Sequence, residues 1–118
     1  MNVNKVIISG KLTNDPILKK LNSGSNVLTF NLETKQEFKS ASGIKSTFNF
    51  IDCAVWGNAA ENYSKYIIKG LHILVEGSLA LDSFTNQNGE KRSKHKINVQ
   101  SITLLNLKPA IVEELARQ

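Results

Sequence analysis

The sequence predicts an all-β protein: a five-stranded barrel with one α-helix between its third and fourth strands. Three observations carry this expectation. Turn-forming clusters cut the chain into short segments in which apolar and polar residues alternate, the two-residue period of a half-buried strand. One internal stretch breaks that period and takes up helical spacing. The chain is also short, 118 residues with 41% apolar content, which suits one domain around one core.

The first segment runs from Val3 to Thr13, with Val6, Ile8 and Leu12 on one parity and Gly10 between them; Asn14-Asp15-Pro16 ends it. A short piece, Ile17 to Leu21, leads into the turn cluster Asn22-Ser23-Gly24-Ser25. Val27 to Phe38 is the second long strand, with Leu28, Phe30 and Leu32 sharing a side. Lys39 to Ser46, carrying Ser42-Gly43, reads as a hairpin loop, and Thr47 to Trp56 as the third strand. The helix follows: Asn58 can cap it, Glu61 three residues on completes a capping-box pattern, and Gly70 supplies a left-handed stop. Leu71 to Phe84 is the fourth strand, Asn86 to Ser93 a polar hairpin loop, and His95 to Leu107 the fifth strand. Parity slips near Ser101, since Ile97 and Val99 match each other but not Ile102 and Leu104. A β-bulge produces that slip. Pro109 breaks the pattern, and Ala110 to Arg117 reads as a short helix or a tail. A sandwich of two sheets would not require the capped helix. Five strands with one helix in this place are the layout of the oligonucleotide-binding (OB) barrel, a partly open Greek key.

The third strand is the most informative. One parity reads Phe48, Phe50, Asp52, Ala54, Trp56, and the other Asn49, Ile51, Cys53, Val55. Successive side chains point to opposite faces. The second set makes an aliphatic core face. The first keeps three aromatics yet carries Asp52, a residue rarely buried without a partner, so the aromatic face is the wetter one. Phe84 repeats the logic, sharing parity with His72, Leu74, Glu76, Ser78, Ala80 and Asp82, while Ile73, Val75, Leu79 and Leu81 lie on the other side. Phe38 shares the parity of Leu28 and Phe30, so pattern leaves its exposure open. Core packing or subunit contact competes with a binding role for Phe50, Trp56 and Phe84, and is favoured for Phe30 and Phe48.

Exposed aromatic rings can stack on any nucleobase, and lysines along the same groove neutralise phosphates. Candidates are Lys5, Lys11, Lys35, Lys39, Lys45, Lys69, Lys91, Arg92, Lys94 and Lys96. The Lys91-to-Lys96 run reads equally as a solvated hairpin tip. The balance of 15 Lys+Arg against 10 Asp+Glu, net +5, suits a polyanionic partner but also fits a modestly basic protein without one.

Other functions find little support. No Ser-His-Asp or Cys-His spacing, phosphate-cradling glycine loop or metal-ligand cluster is present, so neither enzyme activity, metal nor cofactor is expected. An acidic group of Asp52, Glu76 and Asp82 keeps a metal-dependent nuclease as an alternative, beside a protein-interaction module. Cys53 is the sole cysteine and His72 and His95 the only histidines, so no internal disulfide is possible and zinc is not suggested. No apolar run reaches the roughly 20 residues of a membrane span, and no signal peptide is read at the N-terminus. A reducing, cytoplasmic setting is expected.

Taken in order, several segments resemble the bacterial single-stranded DNA-binding protein family (SSB) over residues 3 to 105. They are Val3-Asn4-Lys5-Val6-Ile7-Ile8-Ser9-Gly10-Lys11-Leu12 with Asp15-Pro16, Val55-Trp56-Gly57, Tyr66-Ile67-Ile68-Lys69-Gly70, and Val75-Glu76-Gly77-Ser78-Leu79. The resemblance implies a homotetramer of OB folds that wraps single-stranded DNA without sequence preference, in replication, recombination and repair. It implies stacking on Phe38, Phe50, Trp56 and Phe84, three of which match positions usually held by tryptophan. With it, residues 1–108 are expected to form the DNA-binding domain and 109–118 a short C-terminal segment. Three departures stand out. The family often has basic or amide residues where this chain has Asp52, Ala80, Asp82 and Ser83, which implies weaker phosphate attraction on that face. A histidine commonly stands where this chain has Ile51, near subunit contacts in the family. The family's long tail with an acidic tip is not found here, Glu113 and Glu114 being the nearby acids, so recruitment of replication and repair proteins through such a tail is not expected of these 118 residues.

Overall fold

A computed structural model describes residues 1–105. Six strands and one helix follow in the order β1 (Val6–Leu12), β2 (Ile17–Lys20), β3 (Asn26–Ser40), β4 (Gly43–Trp56), α1 (Asn58–Ser64), β5 (His72–Thr85) and β6 (Lys91–Leu104). The strands form one sheet in the order β1-β5-β6-β4-β3-β2, and β1 also pairs with β3. That second pairing closes β1, β5, β6, β4 and β3 into a five-stranded barrel, leaving β2 as a ribbon on the outer edge of β3. All pairings are antiparallel except β4 with β6, which run parallel through Asp52↔Lys96, Cys53↔Ile97 and Ala54↔Asn98.

The barrel interior is filled from the aliphatic parities. Leu12, Leu28, Phe30, Leu32, Cys53, Val55, Ile73, Val75, Ile97 and Val99 are buried in one cluster with Ala60 and Ile67. Removing each large side chain from water contributes about 1.5–3 kcal/mol. Two glycines allow the strands to close. A Cβ on Gly10 would lie 2.5 Å from the Glu33 carbonyl oxygen, and one on Gly77 would lie 2.1 Å from that of Asn98. Gly77 also marks the bulge expected near Ser101: it opposes Val99 while Glu76 opposes Ser101, so Gln100 is the extra residue. The inserted residue turns Ile97 and Val99 inward on one side of the bulge and Ile102 and Leu104 toward the core on the other.

α1 is too short to persist alone. Ala60 is buried in the core cluster, Ala59 and Tyr63 pack against it, and the Tyr63 hydroxyl accepts the Ile102 backbone N–H at 3.2 Å. The helix thereby seals one end of the barrel.

Several expectations change. The helix lies between the fourth and fifth of six strands, because Ile17–Lys20 forms its own strand against Asn26–Thr29. It still follows the strand ending at Trp56. The Asn58–Glu61 capping box does not form: Gly57, at φ 81°, is the N-cap and Asn58 is already helical. Gly70 does not end the helix, which stops at Ser64. It turns the chain at φ 88° into β5, and its N–H donates to the Leu12 carbonyl at 2.9 Å. The loop expected over 39–46 shrinks to a two-residue turn, since Ser40 pairs with Gly43. β3–β4 and β5–β6 therefore extend as long arms past the barrel. Leu79 and Leu81 sit where β5 leaves the barrel and are exposed, although their parity is the core parity. The segment expected over Ala110 to Arg117, the end of the fifth strand at Leu107 and the boundary at 108 lie outside the described residues.

Candidate nucleic-acid interface

Directly opposed residues of paired strands share a face of the sheet. The registers therefore assemble the outer face row by row. Trp56 opposes Val27, Asp52 opposes Asn31, Phe50 opposes Glu33 and Phe48 opposes Lys35. Glu33 in turn opposes Lys11 of β1. Across the parallel pairing Asp52 meets Lys96 and Ala54 meets Asn98. Beyond β6, Lys96 opposes Ala80, Lys94 opposes Asp82 and Arg92 opposes Phe84. One continuous surface thus carries Phe48, Phe50, Trp56 and Phe84 with Lys11, Lys35, Lys39, Arg92, Lys94 and Lys96. The rings are about half exposed or more: Phe48 51%, Phe50 61%, Trp56 47% and Phe84 45%. Large apolar groups on a polar face mark an interaction surface.

Trp56 is held in place on this face. Its indole Nε1–H donates to Asn98 Oδ1 at 3.3 Å, and Lys96 Nζ lies 5.6 Å from the ring centroid. The ring borders a cleft of about 450 Å³ whose lining includes Thr29, Asn31, Asp52, Lys94 and Lys96. Asp52 forms an ion pair with Lys94 and accepts from Asn31 Nδ2 at 2.9 Å. Burial alone pushes its carboxyl up, but the hydrogen bonds from Lys94 and Asn31 and the Lys94 charge outweigh this and hold it below the ordinary carboxylate value. At the arm tip a second groove, about 490 Å³, is lined by Ser83, Phe84, Thr85, Lys91, Arg92 and Ser93.

The structure does not gather every residue singled out from the sequence. Phe38 is exposed at 46% but opposes Lys45, on the other face of the β3–β4 arm from Phe48 and Phe50. Lys91 likewise lies on the opposite face of its arm from Arg92, by alternation. Lys5 precedes β1. Lys69 sits in the loop after α1, its backbone N–H donating to Asp15 Oδ1 at 2.9 Å. Lys35 is paired with Glu37, and Arg92 with Glu90. The acidic trio does not converge: Asp52 is taken up by Lys94 and Asn31, and Glu76 contacts Ser101, about 20 Å along β5 from Asp82 at strand spacing. Phe48, for which the pattern favours core packing, is instead exposed on this face, and its parity with Phe50 and Trp56 is the signal that points there. Asn98 reaches the site through the parallel β4–β6 register and Asn31 through the β3–β4 hairpin register, and strand parity by itself fixes neither.

A closed five-stranded barrel whose outer face combines exposed rings and lysines is an OB-fold surface of the kind used for nucleic acids. The chain belongs to the single-strand binding protein family, whose model matches residues 3–105. A single-stranded DNA-binding protein of Helicobacter hepaticus is 43% identical over 108 residues, 91% of this chain and 64% of the relative. One from Wolinella succinogenes is 41% identical over 91% of this chain and 67% of its own length. The chain thus spans about two thirds of these relatives. Among solved structures, a Plasmodium falciparum SSB in complex with ssDNA has a TM-score of 0.81 at 25% identity, covering 90% of this chain and 97% of that one.

Proposed function

We propose that this chain binds single-stranded DNA without sequence preference, protecting it during replication, recombination and repair. The observation that carries this reading is the single outer face on which Phe48, Phe50, Trp56 and Phe84 stand exposed among lysines. Rings of that kind stack on unpaired bases, each stack contributing about 1–3 kcal/mol with little base preference. Lysines and Arg92 meet the phosphates. Phe38, Lys5, Lys69 and Lys91 join the interface where a strand passes around the arms or the barrel rim. Membership in the family supports the reading, as does a fold shared with a protein solved with ssDNA. On this reading the protein acts on cellular DNA in the cytoplasm, as a non-enzymatic binder.

Trp56 is the only tryptophan and provides the test. Adding oligo-dT should quench its fluorescence strongly, to saturation at a fixed ratio of nucleotide to protein. High salt should reverse the effect, and EDTA should not. Duplex DNA of equal length should quench far less, because its bases are already stacked. Equal quenching by duplex and single strand would overturn the proposal.

A further inference from the structure

Four charges form an alternating square in the middle of the outer face. Lys94 and Lys96 stand two residues apart on β6. Asp52 of β4 is in register with Lys96 and ion-paired to Lys94. Asp82 of β5 is in register with Lys94, and its Oδ1 lies 4.0 Å from Lys96 Nζ. Asn31 fixes the Asp52 carboxylate from the far side. The square lies between Trp56, over whose ring Lys96 sits, and the row of Phe84 and Arg92. A strand stacked on both rings must carry its phosphates past two lysines that already have anionic partners.

We infer that Asp52 and Asp82 are built-in competitors of the DNA phosphates for Lys94 and Lys96, and that they set the affinity and salt dependence of strand binding. The inference rests on the single-stranded DNA reading above. A surface lysine that neutralises a phosphate frees a cation condensed on the strand, and that release drives binding. A lysine beside a fixed carboxylate is half of a net-neutral pair, so its approach to a phosphate frees little of the strand's condensed cation. When it turns to the phosphate, the carboxylate it leaves stays nearby and repels the strand. Exchange is feasible, because the pairs are partly exposed, with 55% of the Lys94 side chain and 50% of that of Asp82 open to solvent, and exposed ion pairs are weak.

The test measures anisotropy of labelled oligo-dT over a range of salt concentrations, with wild type, Asp52→Asn, Asp82→Asn and the double variant. Each substitution should tighten binding at low salt by roughly two- to fivefold. The slope of log K against log salt should steepen by up to about 0.7 for each lysine released. Adding Lys94→Gln to Asp52→Asn should cancel the gain. Glu61→Gln on α1, which changes net charge equally, should reproduce neither effect. Asp82→Ser, at the more exposed of the two carboxylates, keeps the idea testable if an asparagine variant melts early: it should steepen the slope as Asp82→Asn does, and a wild-type slope in it would count against the inference. Wild-type affinity and slope in stably folded Asp52→Asn and Asp82→Asn overturn the inference alone. Failure of the wild type to bind oligo-dT overturns the function reading and the inference together.

Discussion

Phe50 and Phe84 differ from Phe30 in exposure: Phe30 is 3% exposed inside the barrel, while the other two stand in solvent. Truncating a ring in solvent removes little packing. Phe50→Ala and Phe84→Ala should each weaken oligo-dT binding by about 1–3 kcal/mol, with melting temperatures close to wild type. Phe48→Ala should behave the same way. Large losses of thermal stability with affinity unchanged would show that these rings serve the fold. Cys53 shows the opposite environment. It is buried, and its thiol is pushed up to about 12, by desolvation first and by the charge of Asp52 second. Only the thiolate reacts, so Cys53 in the native protein should resist a disulfide-exchange reagent at pH 8 and react fully in denaturant. The same raised value sets a sign for stability. The unfolded thiol ionises near 9 and the folded one near 12, so the contribution is intact below pH 9 and is lost as pH rises through that window. Rapid labelling of the folded protein would contradict the buried position.

At the level of elements, closure of the barrel depends on strands coming nearer than side chains permit. Gly77 faces the Asn98 carbonyl at the bulge, where any Cβ would overlap backbone rather than a movable side chain. Gly77→Ala should therefore destabilise the fold by about 1–3 kcal/mol or more, the usual cost of overpacking. A denaturant melt would measure it, and a wild-type midpoint would mean that the β5–β6 bulge relaxes at little cost. Gly24→Ala is an instructive comparison. Its φ is positive but nothing stands within 4 Å of the added carbon, so its cost is conformational alone and smaller.

On the scale of the whole molecule, the barrel leaves apolar side chains in water. Ile7, Leu79 and Leu81 are all exposed, and a domain of this size buries a modest share of its surface. Covering such side chains is a common reason for small barrels to associate. We expect a tetramer in solution, with a dimer as second choice. Light scattering coupled to size exclusion at micromolar concentration would read the mass directly, and a 13.1 kDa species would refute the expectation. Under the proposed function, the net charge of +5 favours approach to DNA at long range, while four ion pairs already occupy Lys35, Arg92, Lys94 and Lys96.

Local pattern alone determined much of this protein. Alternation placed Leu28, Phe30, Leu32, Cys53, Val55, Ile73 and Val75 in the core and Phe50, Trp56 and Phe84 outside it, because successive strand side chains must face opposite ways. The parity slip near Ser101 likewise revealed the bulge. Pattern failed where geometry depends on distant partners. Leu79 and Leu81 keep the core parity but lie in an arm with no barrel behind it, and strand parity cannot say where a barrel ends. The capping box at Asn58 is a sequence signature displaced by Gly57, whose positive φ makes the corner from Trp56 into the helix. The pairing of Asp52 with Lys94, the bond from Trp56 to Asn98 and the square of opposed charges arise from the registers of β4, β5 and β6. Residues more than forty positions apart meet there, and only the folded sheet fixes which of them stand side by side.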